Sequence, residues 1–363
     1  MGKKIRALAL YLPQFHPIPE NDEWWGKGFT DWKNVVTGKS IFKGQYQPHL
    51  PADLGFYDLR VPDIRKQQAD LAKNYGIYGF CYYHYWFNGK RLLERPFTEV
   101  LKSKQPDFPF CLCWANENWS RNWDGKFNDI LIQQKYSLED DLNHIRYLGE
   151  EVFPDERYIK IDEKPVFIIY RPLLFPNLKA TVSTWRSEIK KMGFKDIYLI
   201  FFWSFDYGIN PTSIGFDAAA QFTPNKLPFV RKKAVMVEKL REINYIIPRK
   251  LKFLTIQYKD VVSYYRNFQY PNNFILFPCI TPMWDNYVRR KNKGGTILLN
   301  STPELYKNWL ENICERWEPQ SSEENFIFIN AWNEWAEGNH LEPCENWGTQ
   351  YLEKTLEVLK NYK

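Results

Sequence analysis

FIFINAWNEWAEG, residues 326–338, sets two kinds of sequence back to back. Residues 326–332 are apolar and β-prone with no alternation, as a strand buried on both faces requires. Residues 333–338 then switch to an amide, an indole and two carboxylates. The same juxtaposition recurs upstream. IRALALYL (5–12), IYGFCYYHYWF (77–87), FPFCLCWA (108–115), PVFIIY (165–170), IYLIFFW (197–203), FDAAAQF (216–222) and FILFPCI (274–280) are runs of the same kind. Helical patterns lie between several of them, such as VPDIRKQQADLAKNYG (61–76) with its closing glycine. Another is TPELYKNWLENICERW (302–317), opened by a threonine. Eight such alternations predict an α/β fold, a (β/α)8 TIM barrel forming a single domain over 1–363 with long loops at its C-terminal face. Residues 204–215 are too few for a full helix, so a turn or irregular crossover is expected there. Residues 13–60 form a long Trp/Gly/Pro-rich excursion after the first strand, of the kind that carries function.

Composition narrows the function. The chain has 363 residues, 44% hydrophobic and 25% charged, which excludes disorder, collagen-like repeats and coiled coil. A net charge of +6 is too mild to announce nucleic acid. No apolar stretch is long enough to span a membrane. The apolar run before Pro13 is short and lacks a small-residue cleavage site, so it reads as a first strand rather than a signal peptide. Four of the six cysteines, Cys81, Cys111, Cys113 and Cys279, sit in apolar runs where a thiol behaves as a small hydrophobe. Cys314 and Cys344 complete the set, and reduced cysteines and a cytoplasmic location are expected. The outlier is an aromatic content of 18%, more flat rings than a core needs.

In a barrel of this type, chemistry hangs from the carboxyl ends of the strands. There the chain places His16, then Trp25 and Trp32; Tyr83, His84 and Trp86; Asn116, Glu117 and Trp119; Tyr170 and Arg171; Trp203; Trp284 and Asp285; and Asn333 and Trp335. Rings that stack on C–H faces beside amides and carboxylates that serve hydroxyls are what a sugar requires, so these residues are expected to bind an oligosaccharide or polysaccharide. Glu334 and Glu337, three apart just past a buried strand, fit the paired carboxyls of glycoside chemistry. The other reading of the pair is a solvated first turn whose acids favour a helix N-terminus. Glu117 is a third candidate for direct chemistry or for hydroxyl binding. Asp31 and Glu23 in the first loop read as sugar ligands or loop-fixing groups.

No spacing of Cys and His suits zinc, no Asp-x-Asp-x-Asp run suits calcium, and neither a Walker A sequence nor a GxGxxG is present. No metal and no cofactor are expected. Residues 226–252, an insertion within about 225–260, carry nine Lys/Arg against Glu238 and Glu242, a balance of +7 in a chain of +6. Mixed with Leu, Val, Ile and Phe, they suit peripheral contact with an anionic membrane, a lipid-linked glycan or an acidic glycan; a solvated covering helix is the alternative.

The stretches at 11–32, 47–60, 79–96, 111–125 (CLCWANENWSRNWDG), 157–172 and 330–338 (NAWNEWAEG) resemble the WbsX-type family. Its members occur in bacterial O-antigen and capsule gene clusters and are labelled glycosyltransferases. That family is in turn similar to glycoside hydrolase family 99, the endo-α-mannosidases, through the Asn-Glu-Trp-x-Glu-Gly motif. The resemblance implies that Glu334 works on a sugar 2-hydroxyl through a 1,2-anhydro intermediate, that Glu337 is the general acid/base, and that configuration is retained. A donor role for Glu337 requires its pKa to be raised by burial near Trp335 and by the second carboxylate. Three functions are carried forward: a glycoside hydrolase-like enzyme acting on a bacterial surface polysaccharide, a glycosyltransferase of O-antigen or capsule assembly, and a non-catalytic carbohydrate-binding barrel.

Overall fold

Each apolar run becomes a strand, because residues apolar on both faces are hidden only between a packed barrel interior and an outer helical layer. The computed structural model describes residues 3–121, 126–203, 208–225, 227–242, 253–290 and 295–362. The strands are β1 (Arg6–Tyr11), β2 (Ile77–Phe87), β3 (Phe110–Trp114), β4 (Lys164–Ile169), β5 (Tyr198–Phe202), β6 (Ala218–Ala220), β7 (Ile275–Phe277, resumed as Cys279–Ile280) and β8 (Phe326–Ile329). All pairings around the ring are parallel, from β1–β2 through β5–β6 to β6 with the first half of β7. The second half of β7 pairs with β8, and β8 with β1. The nine paired segments are therefore eight staves, with β7 divided at Pro278. A proline has no N–H to give a ladder, so the ring closes through carbonyls instead. The Gln221 amide donates to the Phe277 carbonyl (2.9 Å) and the Phe328 amide to that of Pro278 (2.8 Å).

The barrel interior is aromatic: Phe202 of β5 lies 5.8 Å from Tyr170, 4.8 Å from Phe222 and 6.2 Å from Phe328 across the ring. Gly79 of β2 is a close approach, since a Cβ there would sit 2.6 Å from the Pro109 carbonyl oxygen. The outer helices include Pro62–Asn74, Arg95–Ser103, Leu138–Tyr147, Leu178–Lys191, Tyr258–Arg266, Pro303–Arg316 and Gln350–Leu359. Their starts follow capping chemistry: the Thr302 hydroxyl accepts from the Leu305 amide, with Pro303 at the first helical position. Among its described residues the β5–β6 crossover holds the 3-10 turn Pro211–Ile214 and no longer helix, as the short connection predicted; residues 204–207 lie outside the described residues.

Outside the barrel, Leu254–Gln257 and Thr296–Leu299 form a parallel pair, and Trp119–Arg121 with Lys126–Ile132 an antiparallel one. Of the basic insertion, residues 231–242 form the helix Arg231–Glu242. Lys226, and Arg249, Lys250 and Lys252 within 243–252, lie outside the described residues. All six cysteines are buried and free. Among the described residues no helix is long and apolar enough to cross a membrane.

Candidate active site

Past β8 the chain makes a tight hairpin in which Asn333–Glu334 pairs antiparallel with Asn339–His340. Its tip, Trp335–Glu337, is one 3-10 turn closed by Gly338 at φ 55°. A Cβ on Gly338 would lie 3.1 Å from the Asp285 Cβ and from the His49 ring, so both the handedness and the space demand glycine. Asn333 ties the hairpin to the end of β1: its Oδ1 accepts from the Leu12 amide (2.7 Å) and its Nδ2 donates to the Leu12 carbonyl (3.0 Å). Beneath the turn, Trp335 stacks on His340 (3.8 Å between centroids) and donates from its indole to Glu342 (2.7 Å). Glu342 also accepts from the Tyr57 hydroxyl (2.7 Å) and the Gln68 amide (2.6 Å). Burial pushes the Glu342 carboxyl up to about 7.

A spacing of three on a turn with three residues per turn brings Glu334 and Glu337 to one side. Both carboxyls meet the same guanidinium. Arg289 Nη1 lies 2.7 Å from Glu337 Oε1, and Nη2 lies 3.3 Å from Glu334 Oε2. Arg289 comes from the one-turn helix Tyr287–Arg290 after β7. Burial works against its charge, but Glu337, Glu334 and Asp31 together hold it above its ordinary range. Asp31, from the first loop, faces the Ala336 amide (3.4 Å), and burial raises it to about 6. In this cluster of three carboxyls and one guanidinium, burial raises Glu334 to about 8; Glu337 and Asp31 add to the effect and Arg289 opposes it.

The pair opens into a cavity of about 910 Å3 at the carboxyl end of the barrel. Of the residues expected from sequence, Tyr83, Glu117, Trp119, Tyr170, Arg171, Trp284, Glu334 and Glu337 line it. Arg171 pairs with Glu117 at 2.6 Å, with both side chains partly exposed to the cavity.

The others stand behind this wall. Trp32 is wedged between Phe15 and Trp335 and donates to the Tyr57 carbonyl. Trp25 packs on Phe29 in the first loop. His16 is buried, which lowers its pKa to about 4. His84 meets His144 nitrogen to nitrogen at 2.9 Å and is lowered by burial to about 3, while Trp86 stacks on the same His144. Asn116 bridges to the Arg171 backbone in both directions. Trp203 donates to the Ile209 carbonyl. Asp285 accepts from Gln45 (2.6 Å) and is raised by burial to about 6.

Sequence reading did not single out Arg289, Tyr85, Phe87, Gln14, Asn118 or Phe222, which also line the cavity. The signal for Arg289 was available: it lies in NYVRR, directly after the TPMWDN segment that follows β7. Among the described residues no group of His, Cys, Asp and Glu is placed to hold a metal.

Barrel and cavity together define a chain with the fold of carbohydrate-active barrels. Solved structures with this fold include a glycoside hydrolase-like protein, with a TM-score of 0.60, 14% identity and coverage of 98% of this chain and 94% of that one. A family 99 endo-alpha-mannosidase from Bacteroides thetaiotaomicron, bound to BIS-TRIS-propane, also gives 0.60 at 14% identity over 98% and 97%. The family described as Glycosyltransferase WbsX matches residues 7–355, and the chain belongs to it. WxcX from Xanthomonas campestris pv. campestris, which has no characterised function, is 42% identical over 356 residues, covering 97% of this chain and 49% of that protein. The chain thus spans about half the length of the curated relatives it matches.

Proposed function

We propose that the protein is a retaining, glycoside hydrolase-like enzyme that cleaves or remodels a bacterial surface polysaccharide in the cytoplasm, with Glu334 and Glu337 as its catalytic pair. The observation that carries this is two carboxyls from one turn, bridged by Arg289, in the wall of an aromatic cavity at the catalytic end of the barrel. Tyr83, Trp119, Tyr170 and Trp284 offer ring faces to sugar C–H groups, and Glu117 and Arg171 serve hydroxyls.

Burial and two neighbouring acids raise Glu334, and Arg289 reaches both carboxyls, at 2.7 Å from Glu337 and 3.3 Å from Glu334. The division of roles follows the family 99 resemblance, with Glu337 as donor to the leaving oxygen and Glu334 acting on the sugar 2-hydroxyl. Transfer to an acceptor is the second reading, favoured by the family's description and by Arg231 and Arg290 in the same wall, which suit a phosphorylated donor.

The test is incubation of wild type, E334Q and E337Q with surface polysaccharide, α-linked oligosaccharides and a panel of aryl glycosides, without nucleotide sugar, reading products by mass. New reducing ends from wild type alone are expected. An activated aryl leaving group, which needs no proton, should restore turnover to E337Q by about 100-fold or more and leave E334Q inert. Rescue of E334Q instead would reverse the two roles. Product formed only when a donor sugar is supplied would replace hydrolysis by transfer.

A further inference from the structure

The basic insertion meets the cavity through one helix. Leu227, Pro228, Val230, Arg231 and Ala234 line the cavity mouth, and the helix Arg231–Glu242 is held by Val237, which is 3% exposed, and by Lys233, whose ammonium donates to the Thr255 carbonyl. The opposite face is unlike an ordinary solvated helix. Lys232, Val235, Met236 and Lys239 follow the i, i+3, i+4, i+7 spacing, which places them within roughly 100° of arc. All four are exposed, Val235 at 46% and Met236 at 50%, and Phe229 in the preceding turn is 43% exposed. Among the side chains that the structure describes, which do not include that of Glu242, no acidic one pairs with Lys232 or Lys239.

We propose that this face rests on an anionic lipid bilayer and holds the cavity mouth at the membrane surface. An apolar pair flanked one turn away by lysines is the arrangement in which methyl and thioether groups enter the acyl boundary while ammonium groups reach lipid phosphates. Charge complementarity selects the occupant. A neutral partner leaves two unpaired ammonium groups facing apolar surface, and a second copy of this face repels the first. A free polyanion satisfies the lysines but not Val235 and Met236. The inference goes beyond the catalytic reading, and its test uses no glycan, so it stands or falls independently of hydrolysis.

The experiment is co-sedimentation of the whole protein with vesicles of phosphatidylcholine alone and of phosphatidylcholine mixed with phosphatidylglycerol. Binding only to the mixed vesicles is expected. It should weaken about 30-fold in K232Q/K239Q, at about one kcal/mol per lysine, and severalfold in V235S/M236S, with thermal unfolding unchanged in both. No binding, equal binding to both vesicles, or binding indifferent to both double variants would overturn the proposal. So would light scattering showing a dimer that V235S/M236S dissociates.

Discussion

Arg289 sets the electrostatics of the Glu334–Glu337 pair, since its one guanidinium meets both carboxyls. Three carboxyls crowd a buried site with a single guanidinium among them, and burial raises Glu334 and Asp31 while Arg289 opposes the rise. Replacing Arg289 by methionine keeps the length and removes the charge that opposes Glu334's rise. The Glu334 midpoint should then climb above about 8, by about one to three pH units. The δ-carboxyl carbon of labelled glutamate, followed by NMR titration and assigned with E334Q, reads this directly. A midpoint that stays or falls would mean that Arg289 is a structural tether and no more. The assay needs no substrate, so it separates the electrostatics of the site from the identity of the glycan.

At the scale of elements, the turn that carries Glu334 and Glu337 depends on Asn333 as much as on its own geometry. The side-chain amide satisfies both backbone groups of Leu12, a residue only 2% exposed, and so fastens the β8 hairpin to β1 at the barrel's seam. Asn333→Ala leaves a buried N–H and a buried carbonyl without partners and should cost about 2–5 kcal/mol. Asn333→Asp keeps the acceptor and should cost less. Denaturant unfolding decides, and equal losses in the two variants would refute the two-bond tether.

The same comparison shows what a one-dimensional reading reaches. All eight strands were legible because barrel staves are apolar on both faces, and their ends located Glu334 and Glu337. The split of β7 was written in Pro278. Spacing could not tell which strand-end aromatics face the cavity. Trp86 and Trp335 look like sugar platforms in sequence, yet each is committed to a buried histidine, His144 and His340. Those histidines lie 58 and 5 residues further along, a proximity that only the folded chain creates. Arg289 escaped because nothing in NYVRR marks which of its two arginines meets Glu334 and Glu337, a choice that the folded chain makes.

For the whole molecule, the buried titratable groups set a pH optimum of stability that the net charge does not reveal. All five histidines, His16, His49, His84, His144 and His340, are buried and lowered by desolvation. Each contributes stability that is complete above the unfolded histidine pKa and is lost as pH falls through its folded value, near 4 for His16 and near 3 for His84 and His340. Glu334 and Glu342 have the opposite sign. Raised to about 8 and about 7, they contribute stability that is full below the unfolded carboxyl pKa and is lost as pH rises through those values. Above the unfolded histidine pKa the histidines are neutral in both states, so only the carboxyls act between about pH 6.5 and 8. Stability should therefore fall across that interval, by about 1.4 kcal/mol per pH unit for each fully engaged group. It should fall again in acid, where buried imidazoles must take up protons. The Tm measured from pH 4 to pH 9 should peak on the acid side of neutrality, and E342Q, which keeps the acceptor toward Trp335 and cannot ionise, should flatten the alkaline limb. A Tm that rises from pH 6.5 to pH 8 would show that these carboxyls are ionised in the folded protein.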